Sequence, residues 1–251
     1  MLMEQTFEKI NAMKLFGMRD ALTEQMEIAS YGSLSFEERV SMLVDREWTD
    51  REERKFNGRL KAAKLKMPAS MEDIDYRASR GLDQSLMRSL ASCRWVETHA
   101  TVIIDGPTGT GKTFLSCALA HQAIRKGHTA YYFRAPRLFQ ALMMARADGS
   151  WVKLMRKIEK ANVLVVDDWG LSHLTDAERR DFLEVIEDRT GSGSTIMASQ
   201  LPVSAWHELI GEPTVADAVL DRLVHSAHRI ELKGTSLRKK RSGNGGGKEE
   251  A

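Results

Sequence analysis

The sequence predicts an α/β protein, a mostly parallel sheet flanked by helices with a small all-helical domain before it. Three observations carry that prediction. After residue 76, short runs rich in Val, Ile, Thr and Tyr alternate with stretches of helical periodicity, the pattern of strands joined by crossover helices. Before residue 75 only helical spacing is found. At 251 residues, 42% hydrophobic and 29% charged, the chain has the length and apolar content for one large core plus an appendage.

The N-terminal domain is expected over residues 1–75. Leu15, Met18, Leu22 and Met26 recur every three or four residues and fall on one helix face, and YGSLS then breaks the pattern. Ser35 with Glu38 three residues later has capping-box spacing, and Val40, Leu43, Val44 and Trp48 continue an apolar stripe expected to be core. In REERKFNGRLKAAKLK, Arg51, Arg54, Lys55, Arg59, Lys61, Lys64 and Lys66 stand against only Glu52 and Glu53. Such a segment is either a solvated helix face or a surface that contacts nucleic-acid phosphates, since Lys and Arg displace condensed counterions. Pro68 in MPAS ends the helix.

The larger domain is expected over 76–240. Its strands are TVIID, TAYYF, NVLVVDD, STIMAS and HRIEL, separated by helical stretches such as KTFLSCALAHQAIRK and DAERRDFLEVIEDRT. The Gly-rich polar end, residues 241–251, lacks the apolar side chains needed to order itself. No apolar run has the length of a membrane span. With two cysteines, Cys93 and Cys117, in no metal-binding spacing, and no basic-then-apolar leader at the start, a reducing cytoplasm is the expected setting. The formal net charge is +2, yet residues 1–75 contribute −3 (12 basic, 15 acidic) and residues 229–251 contribute +4 (7 basic, 3 acidic). Any polyanion surface is therefore local, at 51–66 and at 238–241.

The chemistry concentrates in one motif. Directly after TVIID comes GPTGTGKT, which fits G-x-x-x-x-G-K-[ST] and opens a helix. Gly106, Gly109 and Gly111, with Pro107, Thr108 and Thr110 between them, let the backbone curl so that N–H groups point at phosphate oxygens, and the helix adds its positive end. Lys112 is expected to reach the β and γ phosphates, and Thr113 to offer its hydroxyl to Mg²⁺. NVLVVDDWG is a buried strand ending in two carboxylates, with Asp167 expected at the metal and Asp168 at the attacking water. The strand STIMAS ends in Ser199 and Gln200, either of which can hydrogen-bond that water or the γ phosphate.

GPTGTGKT, VLVVDDWG and ASQLPVSAWHELIGEPTVADAVLDRLVHSAHRIELKGTSLRK, with the N-terminal helices, together resemble the IstB family, ATP-binding helper proteins of bacterial insertion sequences. The resemblance covers roughly residues 1 to 240 and extends to DnaC-type helicase loaders. It implies a P-loop AAA+ fold with a truncated lid, and ATP held with Mg²⁺ between neighbouring subunits. Under it, Ser199 and Gln200 fall at the first sensor, and Arg222 falls at the arginine that projects into the neighbour's γ phosphate. Read without the resemblance, Arg222 is a helix C-terminal cap. Arg238 resembles a second-sensor position, although the chain ends soon after it; otherwise it belongs to a basic tail.

The function this implies is an ATP-dependent DNA-binding ATPase that forms a homo-oligomer on duplex DNA, with little sequence preference, and recruits a separate transposase. A helicase loader is the alternative. A small-molecule kinase is disfavoured because the region after Asp168 offers no evident acceptor pocket. A non-hydrolysing scaffold is the remaining reading, because Asp168 stands where AAA+ proteins commonly carry glutamate.

Overall fold

A computed structural model of the chain describes residues 2–76 and 80–234. The chain divides at Gly58/Arg59 into two compact units. The first contains α1 (Leu2–Ala12), α2 (Phe16–Glu27) and most of α3 (Phe36–Ala63). The start of α3 is fixed by a reciprocal cap, in which the Ser35 N–H donates to Glu38 Oε2 at 2.8 Å and the Glu38 N–H donates to Ser35 Oγ at 3.2 Å.

The packing of this unit departs from the apolar stripe. Helices α2 and α3 meet through Gly17, where an added Cβ would lie 2.8 Å from the Arg46 carbonyl oxygen and 2.7 Å from Asp50 Oδ2. The contact is polar. Glu47, buried, accepts the N–H groups of Gly17 and Met18 at 2.9 and 3.2 Å, and Gln25 Nε2 donates to the Arg39 carbonyl at 3.0 Å. With the Glu47 face of α3 turned to α2, Val40, Val44 and Trp48 lie exposed, Trp48 at 67%, as does Met26 on α2. Three of the four expected stripe residues of α3 thus face outward, while Leu43, like Leu15, Met18 and Leu22 before it, is half-buried; the close approach of the helices at Gly17 leaves little room for large side chains there.

The second unit begins with the end of α3, followed by α4 (Gln84–Ala91) and α5 (Arg94–Glu97), and continues as β1 (Val102–Asp105), α6 (Lys112–Arg125), β2 (Ala130–Arg134), α7 (Ala135–Ala147), α8 (Trp151–Glu159), β3 (Val163–Trp169), α9 (Asp176–Arg189), β4 (Ser194–Ser199), α10 (Trp206–Ile210), α11 (Pro213–Val224) and β5 (His228–Glu231). The five strands form one sheet in the order β2-β3-β4-β1-β5, and every pairing is parallel. Continuous apolar runs build the centre of the sheet because both faces are covered by helices: Val102 to Ile104 and Val163 to Val166 are fully buried. On one face Trp169 stacks on Phe182 at 4.4 Å and meets Trp206 edge-on at 5.9 Å.

Buried Arg189, at the end of α9, donates to the carbonyls of Ile158, Ala161 and Ser194, joining the end of α8 to the start of β4. Burial pushes its guanidinium down to about 10. Cys93 and Cys117 are free and buried, and burial raises both thiols. No described helix is long and apolar enough to cross a membrane.

Candidate functional site

The site forms where β1, β3 and β4 end and α6 begins. The loop from Gly106 leaves β1 with φ of +141° at Gly106, +84° at Gly109 and +99° at Gly111, conformations that L side chains rarely adopt. Gly106 is also pressed against the exit of β5, where an added Cβ would fall inside van der Waals contact of the Leu232 carbonyl oxygen and 3.0 Å from its carbon. Within the loop, Thr110 Oγ1 donates to the Pro107 carbonyl at 2.8 Å. Lys112 opens α6, and its buried ammonium donates to the carbonyls of Gly106 at 2.6 Å and Pro107 at 2.9 Å. Burial lowers its pKa, opposed by the carboxylates of Asp167, Asp168 and Asp105.

Thr113 and Asp167 meet across 54 residues of sequence, Thr113 Oγ1 donating to Asp167 Oδ2 at 2.8 Å. Two polar side chains from β2 complete this cluster. The Tyr132 hydroxyl donates to the same Asp167 oxygen at 2.7 Å, and Arg134 Nε forms an ion pair with Asp168 Oδ2 at 2.6 Å. Asp167 Oδ1 accepts the Asp168 N–H at 2.9 Å, and Asp167 is 2% exposed. Asp168 itself has a φ of +57°, and the β3–β4 register shifts between Val166 and Trp169. The strand thus does not simply end in two acids. It carries a local irregularity that turns Asp167 and Asp168 to different partners before Trp169 re-enters the core.

Ser199 and Gln200 separate clearly. The Ser199 hydroxyl is buried, donating to the Trp169 carbonyl and accepting the Leu201 N–H, both at 3.0 Å. Gln200 is exposed and its Oε1 accepts the Thr108 hydroxyl at 2.7 Å, so it is the one that touches the loop. Beside them a cavity of about 400 Å³ is lined by Asp105, Gly106, Pro107, Gln200 and residues 231–234. Burial, the largest cause, raises the Asp105 carboxyl, with nearby Glu231 adding to it.

Sequence reasoning missed Arg80 as well as Tyr132 and Arg134. Arg80, 4% exposed, donates to the Thr110 carbonyl at 3.1 Å and to the Asp75 carbonyl at 3.0 Å, and its own carbonyl accepts the Lys233 N–H. It anchors the loop from behind. The alternation of β2 was the available signal for the other two, since Tyr132 and Arg134 sit at i and i+2 on one strand face.

Arg222 lies elsewhere. At the end of α11 it donates to the Ala218 carbonyl at 2.8 Å and pairs with Glu187 at 2.9 Å, and it lines a second cavity with Thr101, Gly193 and Thr195. Those residues mark the N-terminal ends of β1 and β4, whereas the glycine loop leaves the C-terminal end of β1, about 13 Å away along a four-residue strand. Arg238 and the 238–241 patch lie outside the described residues.

Of the seven cations at 51–66, Arg51 and Arg54 pair with Glu47 at 2.5 and 3.4 Å, and Lys55 pairs with Glu52 at 2.8 Å. Arg59 is half-buried, while Lys61, Lys64 and Lys66 are exposed.

A family model described as IstB-like ATP binding protein matches residues 8–245. A relative from Sinorhizobium fredii, whose description reads insertion sequence ATP-binding protein, is 48% identical over 239 residues, 95% of this chain and 98% of its own length. Among solved structures, DnaI superposes with a TM-score of 0.57 at 21% identity, covering 67% of this chain and 96% of that one. The DnaC helicase loader superposes at 0.51 and 22% identity, covering 64% and 96%. At these identities the likeness is one of fold.

Proposed function

The chain belongs to the family of IstB-like ATP-binding proteins, and from that premise we propose that it is an AAA+ ATPase of an insertion sequence, one that assembles on duplex DNA and recruits and stimulates a separate transposase. The observation that carries the ATP part is the meeting of Lys112, Thr113 and Asp167 at the head of a glycine loop whose backbone only glycine can adopt at Gly106.

In this reading the loop N–H groups and the start of α6 receive the phosphates. Lys112 exchanges its two carbonyl partners for β and γ phosphate oxygens, and partial desolvation strengthens that contact. The Thr113 hydroxyl and the Asp167 carboxylate fit Mg²⁺, which takes hard oxygen donors and is held through one or two carboxylates with phosphates and water completing its shell. Bound there, the cation supplies neutralisation of charge on the phosphate oxygens. Asp168 orients the attacking water once it turns from Arg134, and Gln200, already against Thr108, senses the γ phosphate. Arg222 stands at the far end of β1 from its own loop, which supports a role toward the nucleotide of a neighbouring copy, where a planar cation stabilises the transferring phosphoryl group.

Duplex DNA is the proposed second ligand, held through its phosphates and therefore with little sequence preference. Arg51, Arg54, Lys55, Arg59, Lys61, Lys64 and Lys66 are the proposed contacts, with Lys61, Lys64 and Lys66 the most available because they are exposed and no ion pair joins them to an acid among the described residues. The test is DNA binding by the wild type and Lys112→Ala, each with and without ATP. Wild-type affinity should rise at least 10-fold with ATP, and the variant should show no ATP response. Equal binding by both proteins under all conditions rejects the coupling of nucleotide to DNA.

A further inference from the structure

Strand β2 presents its two faces to different surroundings. Tyr131 and Phe133 point to one side, their rings meeting edge-on at 4.5 Å with Lys157 over the Tyr131 ring. Tyr132 points to the other, where the residue is 7% exposed and its hydroxyl lies 2.7 Å from Asp167 Oδ2. We propose that Tyr132 is a positioning residue for the Asp167 carboxylate, fixing its rotation so that Oδ2 stays against Thr113 and the remaining lone pairs stay directed at the cation site. This rests on the ATP reading above.

A carboxylate held by one donor can turn about its last side-chain bond, since such sp³–sp² torsions have broad minima. Asp167 is held by three donors from three directions: the Thr113 hydroxyl and the Tyr132 hydroxyl on Oδ2, and the Asp168 N–H on Oδ1. Two of those are bound up with the chemistry. Thr113 is itself a proposed cation ligand, and the Asp168 backbone sits at the irregularity of β3, with positive φ. Tyr132 alone comes from a regular strand, at a buried position of the sheet's edge, paired in register with β3 through Tyr132↔Val165 and Arg134↔Asp167. It is the donor whose place is set by sheet register, outside both the phosphate loop and the β3 irregularity. A tyrosine serving only as core would need no partner inside the site, and phenylalanine would pack there as well.

The test is Tyr132→Phe in the full chain, which removes one oxygen and keeps the ring. Binding of a fluorescent ATP analogue is titrated without divalent cation and then against Mg²⁺, and hydrolysis is followed across ATP concentration. The melting temperature and the Mg²⁺-free affinity should stay close to wild type, because the loop and Lys112 are untouched. The Mg²⁺ concentration at half-effect should rise about 10-fold or more, the loss usual when a partner behind a metal ligand is removed. Hydrolysis at saturating Mg²⁺ should recover toward the wild-type kcat. Tyr131→Phe, which removes a hydroxyl from the opposite strand face, should leave the Mg²⁺ midpoint unchanged. An unchanged midpoint in Tyr132→Phe overturns the proposal, and so does a loss of Mg²⁺-free binding as large as the loss with Mg²⁺, which would mark the residue as packing. A wild-type protein without Mg²⁺-dependent nucleotide binding would instead refute the ATP reading, and the proposal would fall with it.

Discussion

Gly106→Ala tests how the loop is built. The added methyl meets two separate penalties at that position. The first is conformational: φ is +141°, a region open essentially to glycine, and placing an L side chain there costs about 1–3 kcal/mol. The second is steric. The Cβ would fall against the Leu232 carbonyl and 3.0 Å from Leu232 Cβ, and these are backbone and near-backbone atoms that cannot swing aside. Overpacking of that kind costs about 1–3 kcal/mol more. Relief by moving Leu232 would break its N–H bond to the Asp105 carbonyl, 2.8 Å long, at about 1 kcal/mol. With the clash relieved in that way the total is near 3 kcal/mol, which corresponds to a fall of roughly 6–12 °C in Tm for a domain of this size.

Gly127→Ala is the matched control. Its φ is +96°, but nothing lies within 4 Å of an added Cβ, so it carries the conformational cost without the clash. Thermal unfolding of the two variants separates the terms, and nucleotide binding should weaken only in Gly106→Ala, whose carbonyl holds Lys112 Nζ. If the two variants melt within about 2 °C of each other, the Leu232 contact does not constrain the loop and the steric half of the reasoning is wrong.

Two further perturbations address the carboxylates. Arg134→Ala removes a half-exposed ion pair to Asp168, worth up to about 1 kcal/mol, so Tm should hardly change while basal phosphate release rises about 2- to 5-fold as Asp168 is freed; a fall in phosphate release would instead place Arg134 among the groups that assist hydrolysis. Asp105→Asn should raise stability at pH 7. Its carboxyl is pushed up by burial, so the folded state binds its proton more tightly than the unfolded one, and stability falls as pH rises from the ordinary carboxylate range through the raised value; urea unfolding from pH 4 to 8 should show that loss in the wild type and a shallower dependence in the variant.

The phosphate loop was legible because its requirements are local. Glycines where φ is positive, and a Lys-Thr pair at the first turn of a helix, are demands that neighbouring residues place on one another within eight positions of the chain. The five strands were legible for a related reason: both faces are covered, so VLVV reads as one apolar run. Tyr132, Arg134 and Arg80 are different. Their roles follow from the register of β2 on β3 and from the approach of the Arg80 side chain to the loop, across 30 or more residues. A tyrosine in a strand reads as core until its partner is known. The N-terminal unit misled in the opposite sense. Periodicity showed that Val40, Val44 and Trp48 share a side of the helix, but a hydrophobic side is buried only if something lies against it, and Gly17 brings α2 to the Glu47 face instead.

The same contact changes what the basic run at 51–66 means. Glu47 is buried to hold the first N–H groups of α2, and a buried carboxylate requires countercharge. Burial works against its ionised form, but Arg51 and the N–H groups of Met18 and Gly17 outweigh that and hold its pKa below the usual range. Arg51 and Arg54 are therefore committed first to Glu47, one and two turns along the same helix, and Arg54 also lies over the Phe16 ring at 5.5 Å. A count of basic residues gives these arginines the same weight as Lys61, Lys64 and Lys66, yet contacting a DNA phosphate would require them to share or abandon a carboxylate that α2 depends on. The exposed lysines carry no such obligation to an acid among the described residues. On the proposed reading DNA contact therefore centres on the C-terminal half of the segment, while Arg51 and Arg54 also hold the carboxylate that joins α2 to α3.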